Sequence, residues 1–420
     1  MISKIQIYPG VTLHCCQDRR FKQNTLSVQF CRPLKDEEAA LSALLPAVLL
    51  RGCEKYPDMR AITLQLDDLY GAGMSSIVRI TGNYHIVGIG CNFIEDRFAM
   101  SGDQVLAPLT AFLYEILRKP YTEQGVFSRE YVESERKNLL AAIDSRKNDK
   151  RTYATDRMME LLCGNDPFSV PRLGRRACVE AVTAEKLWQH YEKVLKESPV
   201  ELFYVGSRKP AEVAELVKPL FAGLDRQVIA LPPQTLLDAA APCDRQEEME
   251  VSQGRLSMGF VSPVSVDHEL FFAVQVFMLL YGGSTGKLFN VIREKLSLCY
   301  DIGAIYYKTK GIMTVHAGID FDKKEQVRQE VSRLLQACCE GDFTEAELTA
   351  AKQGLIAGLQ SSQDSPGAIE SYYVNGLLMG KSIEPAEHIR AVEAVTAQQV
   401  RQAAALFKCN TVYFLKGVQE

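Results

Sequence analysis

The sequence predicts an α+β protein in which one arrangement is used twice, each half an antiparallel sheet with helices packed on one face. Three observations carry this prediction. Short alternating strands come in pairs joined by tight turns, as at Thr81-Gly82-Asn83. Long apolar or amphipathic helices separate those pairs. Segments recur about half a chain apart.

The recurrences run in register. LSVQF at 26–30 resembles LSMGF at 256–260, an offset of 230. Asp36-Glu37-Glu38 matches Asp267-His268-Glu269. Each triplet follows a strand and precedes a long apolar helix, so it reads as an acidic N-cap over the first turn's free N–H groups. FSREYVESERKNLLAAIDSRKND at 127–149 resembles FTEAELTAAKQGLIAGLQSSQDS at 343–365, and VEAVTA at 179–184 returns at 392–397. Each copy closes on a strand ending in Gly206 or Gly417, an offset of 211. A shrinking offset is what small loop deletions produce.

Within the first half the alternation predicts strands over 5–7, 11–15 and 26–30. An apolar helix follows over 36–51, then a shorter one over 59–69. Strands over 76–81 and 85–93 and a helix over 105–117 come next. The helix over 128–145 is apolar at Val132, Leu139, Leu140 and Ile143. A helix over 184–194 and a strand over 200–205 complete the half. The halves are expected at 1–225 and 249–420. Between them 226–248 reads as a linker, because Pro232, Pro233, Pro242 and the acidic QEEME stretch favour turns and extended chain.

Length and composition bound the function. The 420 residues allow two to three domains, and 47% apolar with 24% charged residues is ordinary for a globular chain. A disordered, collagen-like or coiled-coil chain is excluded. The net charge is −4 with no basic block, so nucleic acid is not an expected partner. The longest apolar runs are 41–50, broken by Ser42 and Pro46, and 270–281, broken by Gln275. Both fall short of the roughly 18 residues of a membrane span. The opening MISKIQIYPG has no long apolar core, so no signal peptide is expected. Twelve cysteines without a CxxC read as reduced core residues of a cytoplasmic protein.

Familiar catalytic motifs are absent. The six histidines stand singly, with no HxxxH, HExxH or HxxEH. His268 lies between two acids, and capping explains it better than a metal. GGSTGKL at 282–288 fails as a phosphate loop, because Tyr281 stands where its first glycine belongs and Leu288 replaces the Ser/Thr.

Four local motifs resemble the insulinase-like (M16) zinc peptidases, in particular the short members built as two homologous half-clams. RGCEKYPDM (51–59) is similar to the stretch after the family's metal motif. ERKNLLAAI (135–143) resembles the helix that carries its third ligand. DPFSVPRLGRRACVEAVTAEKLWQHY (166–191) is similar to the run into the half's last strand. GGSTGKLFNVIREKLSLCY (282–300) resembles the second half's arginine–tyrosine segment. The resemblance implies an HxxEH motif on the first long helix. Counting back from Arg51-Gly52, its histidine positions fall on Ala43 and Ala47, its glutamate on Pro46, and the third ligand on Ala142. Zinc hydrolysis needs three ligands and a carboxylate base, so no metal is expected in this chain. Pro46 is also expected to kink its helix. Glu135 remains, and reads as a solvated ion-pair residue.

The second half keeps Arg293 and Tyr300. Read from the residues, Arg293 pairs with Glu294 or another carboxylate, and Tyr300 starts a half-buried strand. The resemblance implies that both reach toward a metal site and bind the substrate backbone and its developing oxyanion. Tyr70 is expected at the position equivalent to Tyr300. In some bacterial members the two capabilities are split between two chains. The resemblance therefore implies a metal-free, catalytically inactive subunit of a heterodimeric peptidase, with zinc in an HxxEH-bearing paralogue and a peptide as substrate. The alternative is a non-catalytic scaffold or peptide-binding protein of the same fold.

Overall fold

A computed structural model describes residues 2–418. The chain runs β1 (Ser3–Tyr8), β2 (Val11–Gln17), β3 (Gln23–Pro33), α1 (Asp36–Leu49), α2 (Met59–Asp68), β4 (Gly73–Thr81), β5 (Tyr84–Ile94) and α3 (Leu106–Arg118). A small hairpin, β6 (Thr122–Glu123) and β7 (Val126–Phe127), leads into α4 (Arg129–Asn148) and α5 (Lys150–Cys163). Then come α6 (Arg176–Glu180), α7 (Ala184–Glu197), β8 (Val200–Gly206) and α8 (Pro210–Val217). The second half holds β9 (Cys243–Met249), β10 (Gly254–Val261), α9 (Phe271–Gly282), a π-helical segment Leu288–Lys295, β11 (Asp301–Tyr307) and β12 (Ile312–Ile319). It closes with α10 (Lys324–Glu340), α11 (Glu345–Ser361), α12 (Pro366–Leu378), α13 (Pro385–Glu393), α14 (Ala397–Ala405) and β13 (Lys408–Gly417).

The two sheets repeat one topology. The first has the order β1-β2-β8-β3-β5-β4 and the second β11-β12-β10-β13-β9. Read from the matching edge, β2-β8-β3-β5-β4 and β9-β13-β10-β12-β11 are the same path. Both contain one parallel pair, β2 with β8 and β9 with β13, and are otherwise antiparallel. The parallel pair arises because each half's last strand returns from a long helical connection and inserts beside an early strand. The VEAVTA repeat has a local cause. Thr183 and Thr396 are N-caps whose side chains accept from Lys186 N–H and Gln399 N–H, and the valines before them are buried.

The acidic triplets are not caps. The α1 N-cap is Lys35, without a side-chain bond. Glu38 instead turns inward to Arg32 at 2.8 Å and Lys193 at 2.6 Å. Burial raises its carboxyl, but those bonds outweigh it and bring it down to about 2. His268 lies ahead of α9, and its Nδ1 accepts from Leu270 N–H at 3.1 Å. In the stretch read as linker, Cys243–Met249 forms β9, an edge strand held by main-chain pairing to β13. Its acidic composition suits an exposed edge and hid the strand.

The chain divides into two compact units. The first comprises the chain up to Ile143, Val170–Pro233 and Gln363–Leu378; the second comprises Asp144–Ser169, Gln234–Ser362 and the chain from Met379 on. Each unit therefore takes a segment from the other half of the sequence. In the second unit, α5 lays Ala154, Met158 and Leu162 against Ile312, Tyr413 and Leu415. Gly259 permits that approach, since a Cβ there would stand 2.6 Å from Met158 Sδ. In the first unit, α12 lays Ile369, Tyr373 and Val374 against Cys31, Ile86, Phe203 and Val205. Each sheet thus carries helices beyond the single covered face that the alternation predicts.

Candidate functional site

The first unit holds the positions where the resemblance puts a metal. Ala43 is buried at 5% exposure, Pro46 is buried, Ala47 is half-buried and Ala142 is exposed on α4. The helix does not break at Pro46. It runs unbroken over Asp36–Leu49, and Leu50 N–H still donates to the Pro46 carbonyl at 3.2 Å. Interior proline costs about 3 kcal/mol. Burying Leu44, Leu45, Val48 and Leu49 stabilises by roughly 6–12 kcal/mol, so packing holds the helix through the proline.

Glu135 is not a solvated residue. Its carboxylate meets Arg51 at 3.2 Å, with the side chain 14% exposed, and accepts from Asn138 Nδ2 at 3.1 Å. Arg51 also stacks over the Tyr131 ring at 5.2 Å. This pair ties the end of α1 to α4. Ala142 lies seven residues beyond Glu135, about 10 Å along the helix and on the same face. The residues present do not fit a catalytic zinc: alanine and proline side chains are hydrocarbon, and the neighbouring carboxylate is engaged by Arg51. Among the described residues no group of three or more His, Cys, Asp or Glu side chains is gathered as a metal would require.

The second unit holds Arg293 and Tyr300 on either side of one turn. Arg293 projects from the π-helical segment with 44% of its side chain exposed. Its guanidinium lies 4.9 Å over the Phe289 ring, and Glu294 is a loose partner at 3.9 Å. The turn passes through Ser297 in the left-handed region (φ 50°), a strained conformation for a non-glycine residue. Leu298 N–H closes it by donating to Ile292 O at 2.9 Å. Leu298 and Cys299 are buried beneath, and burial pushes the Cys299 thiol up to about 11. Tyr300 then emerges 60% exposed, its N–H donating to Gly318 O at 2.8 Å.

The Tyr300 hydroxyl donates to Asp320 Oδ1 at 2.9 Å. That bond, and then the carboxylate's charge, raise the phenol above its ordinary value. Asp320 carries no motif, and only the β11–β12 register brings it to Tyr300. With its single proton committed, Tyr300 offers lone pairs to a ligand, while Arg293 offers its donor fork.

Tyr70 is not the equivalent of Tyr300. In the first half Ala72 N–H closes the same turn onto Leu66 O at 3.0 Å, with Gly71 left-handed (φ 69°). Leu298 therefore matches Ala72. Strand registers match Met74 to Ile302, through Cys91 facing Leu26 and Ala317 facing Leu256. The second half thus has two additional residues before its strand, and they are Cys299 and Tyr300. Tyr70 hydrogen-bonds Asp103 at 2.5 Å instead.

Comparison with known proteins agrees with this geometry. The family model described as the Peptidase M16 inactive domain matches residues 181–355. The chain is 26% identical over 411 residues to the "Probable inactive metalloprotease YmfF" of Bacillus subtilis (strain 168), covering 98% of this chain and 96% of that one. A conserved protein from Enterococcus faecalis V583 superposes with a TM-score of 0.90 at 29% identity, over 100% of this chain and 99% of the other. The peptidase M16 inactive domain structure from Pseudomonas fluorescens shares the fold at a TM-score of 0.81 and 18% identity, over 100% and 98% of the two chains. No helix of the described residues is long and apolar enough to cross a membrane. Taken with the duplicated sheets, these matches make the chain similar to the insulinase-like M16 peptidases and to relatives described as inactive.

Proposed function

We propose that this chain is a cytoplasmic, metal-free subunit of a two-chain M16 peptidase, lending Arg293 and Tyr300 to a partner that carries HxxEH and its zinc. One observation carries the reading. The first unit has hydrocarbon at every expected ligand position, whereas the second keeps Arg293 and Tyr300 with their polar ends exposed. Their substrate is a peptide: Arg293 takes a backbone carbonyl, and Tyr300 meets the chain beside it. Twelve free cysteines suit a reducing compartment.

The hydroxyl bond to Asp320 favours a second reading, a scaffold or peptide-binding protein without a catalytic role. A tyrosine whose hydroxyl proton is engaged by a carboxylate accepts from a peptide N–H more readily than it stabilises an oxyanion.

The test is peptidase activity of the chain assembled with an HxxEH paralogue. Arg293→Ala and Tyr300→Phe should each lower turnover by about 10²–10³ if they stabilise the transition state, with the two chains still co-eluting. Full activity of both variants in a verified heterodimer would leave the scaffold reading in place.

A further inference from the structure

Within the second unit, α9 is apolar along its length except for one amide, Gln275 in FFAVQVFMLLYG. Gln275 is 3% exposed. Its Oε1 accepts from Lys308 Nζ at 2.8 Å. That bond decides which way the amide faces. An ammonium only donates, so the oxygen must face it and the NH2 group must point elsewhere. The Nε2 so placed meets no hydrogen-bond acceptor, and a buried N–H without one is destabilising.

Lys308 follows β11 on the hairpin to β12, and burial pushes its amine down to about 8. No carboxylate lies within ion-pair distance of it among the described residues, and its partner is the neutral amide. On α13, His388 is 6% exposed and packs its ring 5.3 Å from Phe272, three residues before Gln275 on the same face of α9. Burial, then the Lys308 charge, hold the imidazole down to about 4. The neighbouring cations are already matched. Lys310 pairs with Asp166 at 2.8 Å, and Lys381 donates to Val266 O at 2.9 Å beside Asp267. Lys308 is therefore a buried cation without a carboxylate partner, and it lies beside an unanswered N–H donor.

We propose that Lys308 and Gln275 form a binding site for one small monovalent anion, a halide or a carboxylate. The anion answers both needs at once. It accepts from Gln275 Nε2 and from the Lys308 N–H groups that the amide oxygen leaves over, and it supplies the charge that burial withholds from the amine. The site belongs to this chain alone, and does not depend on the peptidase reading of Arg293 and Tyr300.

The test is calorimetric titration of the full chain, in low-salt HEPES buffer, with sodium chloride and separately with sodium acetate. One of the two should bind saturably at one per chain, and which one does so separates a halide from a carboxylate ligand. Gln275→Glu should abolish binding, because it sets a carboxylate against Lys308 and removes the open donor. Lys308→Met should weaken binding by at least about tenfold. Lys4→Met, at an exposed position in the first unit, should bind as the unaltered chain does. In crystals of the unaltered chain grown with sodium bromide, an anomalous peak should lie beside Lys308 Nζ, which decides the matter should a variant fail to fold. Absence of saturable binding by both salts together with no bromide peak overturns the proposal, as does unchanged affinity in a folded Gln275→Glu chain.

Discussion

Tyr300 has one hydroxyl proton, and it is donated in a hydrogen bond to Asp320. The phenolate is disfavoured beside that carboxylate, so the phenol titrates above its ordinary value. Asp320→Asn removes the charge and should bring the Tyr300 pKa down toward the usual range. Tyrosine 13Cζ NMR measures this directly, with Tyr300→Phe identifying the resonance. An unshifted titration in Asp320→Asn would show that the hydroxyl does not rest on that carboxylate. The same scale explains what the first unit lacks. Ala43, Ala47 and Ala142 offer no lone pair, and Glu135, seven residues before Ala142 on the same helix, is held by Arg51.

At the scale of elements, α12 is docked by a buried carboxyl group as well as by its apolar face. On α12, Glu370 accepts from Ser27 Oγ at 2.7 Å and Gln29 Nε2 at 2.9 Å. Burial raises its carboxyl, and the Ser27, Arg79 and Gln29 interactions only partly oppose it. A carboxyl whose folded pKa lies above the unfolded one keeps its proton in the folded state while the unfolded chain has lost it. Its contribution is present below the unfolded pKa and declines as pH rises through the folded pKa. Glu370→Gln keeps an acceptor for both donors and carries no charge. Urea denaturation from pH 4 to pH 8 should therefore show the unaltered chain losing stability relative to Glu370→Gln as pH rises. A stability difference that stays constant across that range would contradict the raised carboxyl.

In the whole molecule, each compact unit contains a segment from both halves of the sequence, so the two are expected to unfold together. The one tryptophan reports on this. Trp188 lies in the first unit, ringed by Phe127 and Tyr191. Lys310 and Asp166 lie in the second, with the lysine side chain fully buried. Removing one partner of a buried pair costs about 3–5 kcal/mol. Asp166→Ala should accordingly lower the urea midpoint seen by Trp188 fluorescence, although the substitution is in the other unit. A Trp188 midpoint that stays put while circular dichroism shows a separate early loss would mean that the units unfold independently.

Local chemistry made much of this legible from the chain alone. Helix α1 was expected over 36–51 and runs Asp36–Leu49, and the strand expected over 200–205 is β8 at Val200–Gly206. Apolar periodicity and N-caps act within a few residues, and the duplicated VEAVTA and strand motifs implied one topology used twice. The hydrocarbon at Ala43, Ala47 and Ala142 was equally plain, because a missing donor atom needs no geometry. Other features depended on partners far along the chain. Lys310 meets Asp166 across 144 positions, and Glu370 meets Ser27 across 343. Strand β9 exists only because β13 offers a parallel edge, and Asp320 meets Tyr300 only through the β11–β12 register. A helix's apolar stripe states that it must be covered, but the stripe of α5 carries no record of which sheet covers it. Sequence determined the elements, their duplication and the hydrocarbon side chains at Ala43, Pro46, Ala47 and Ala142; tertiary contact decided which sheet each exchanged helix joins and which group each exposed side chain meets.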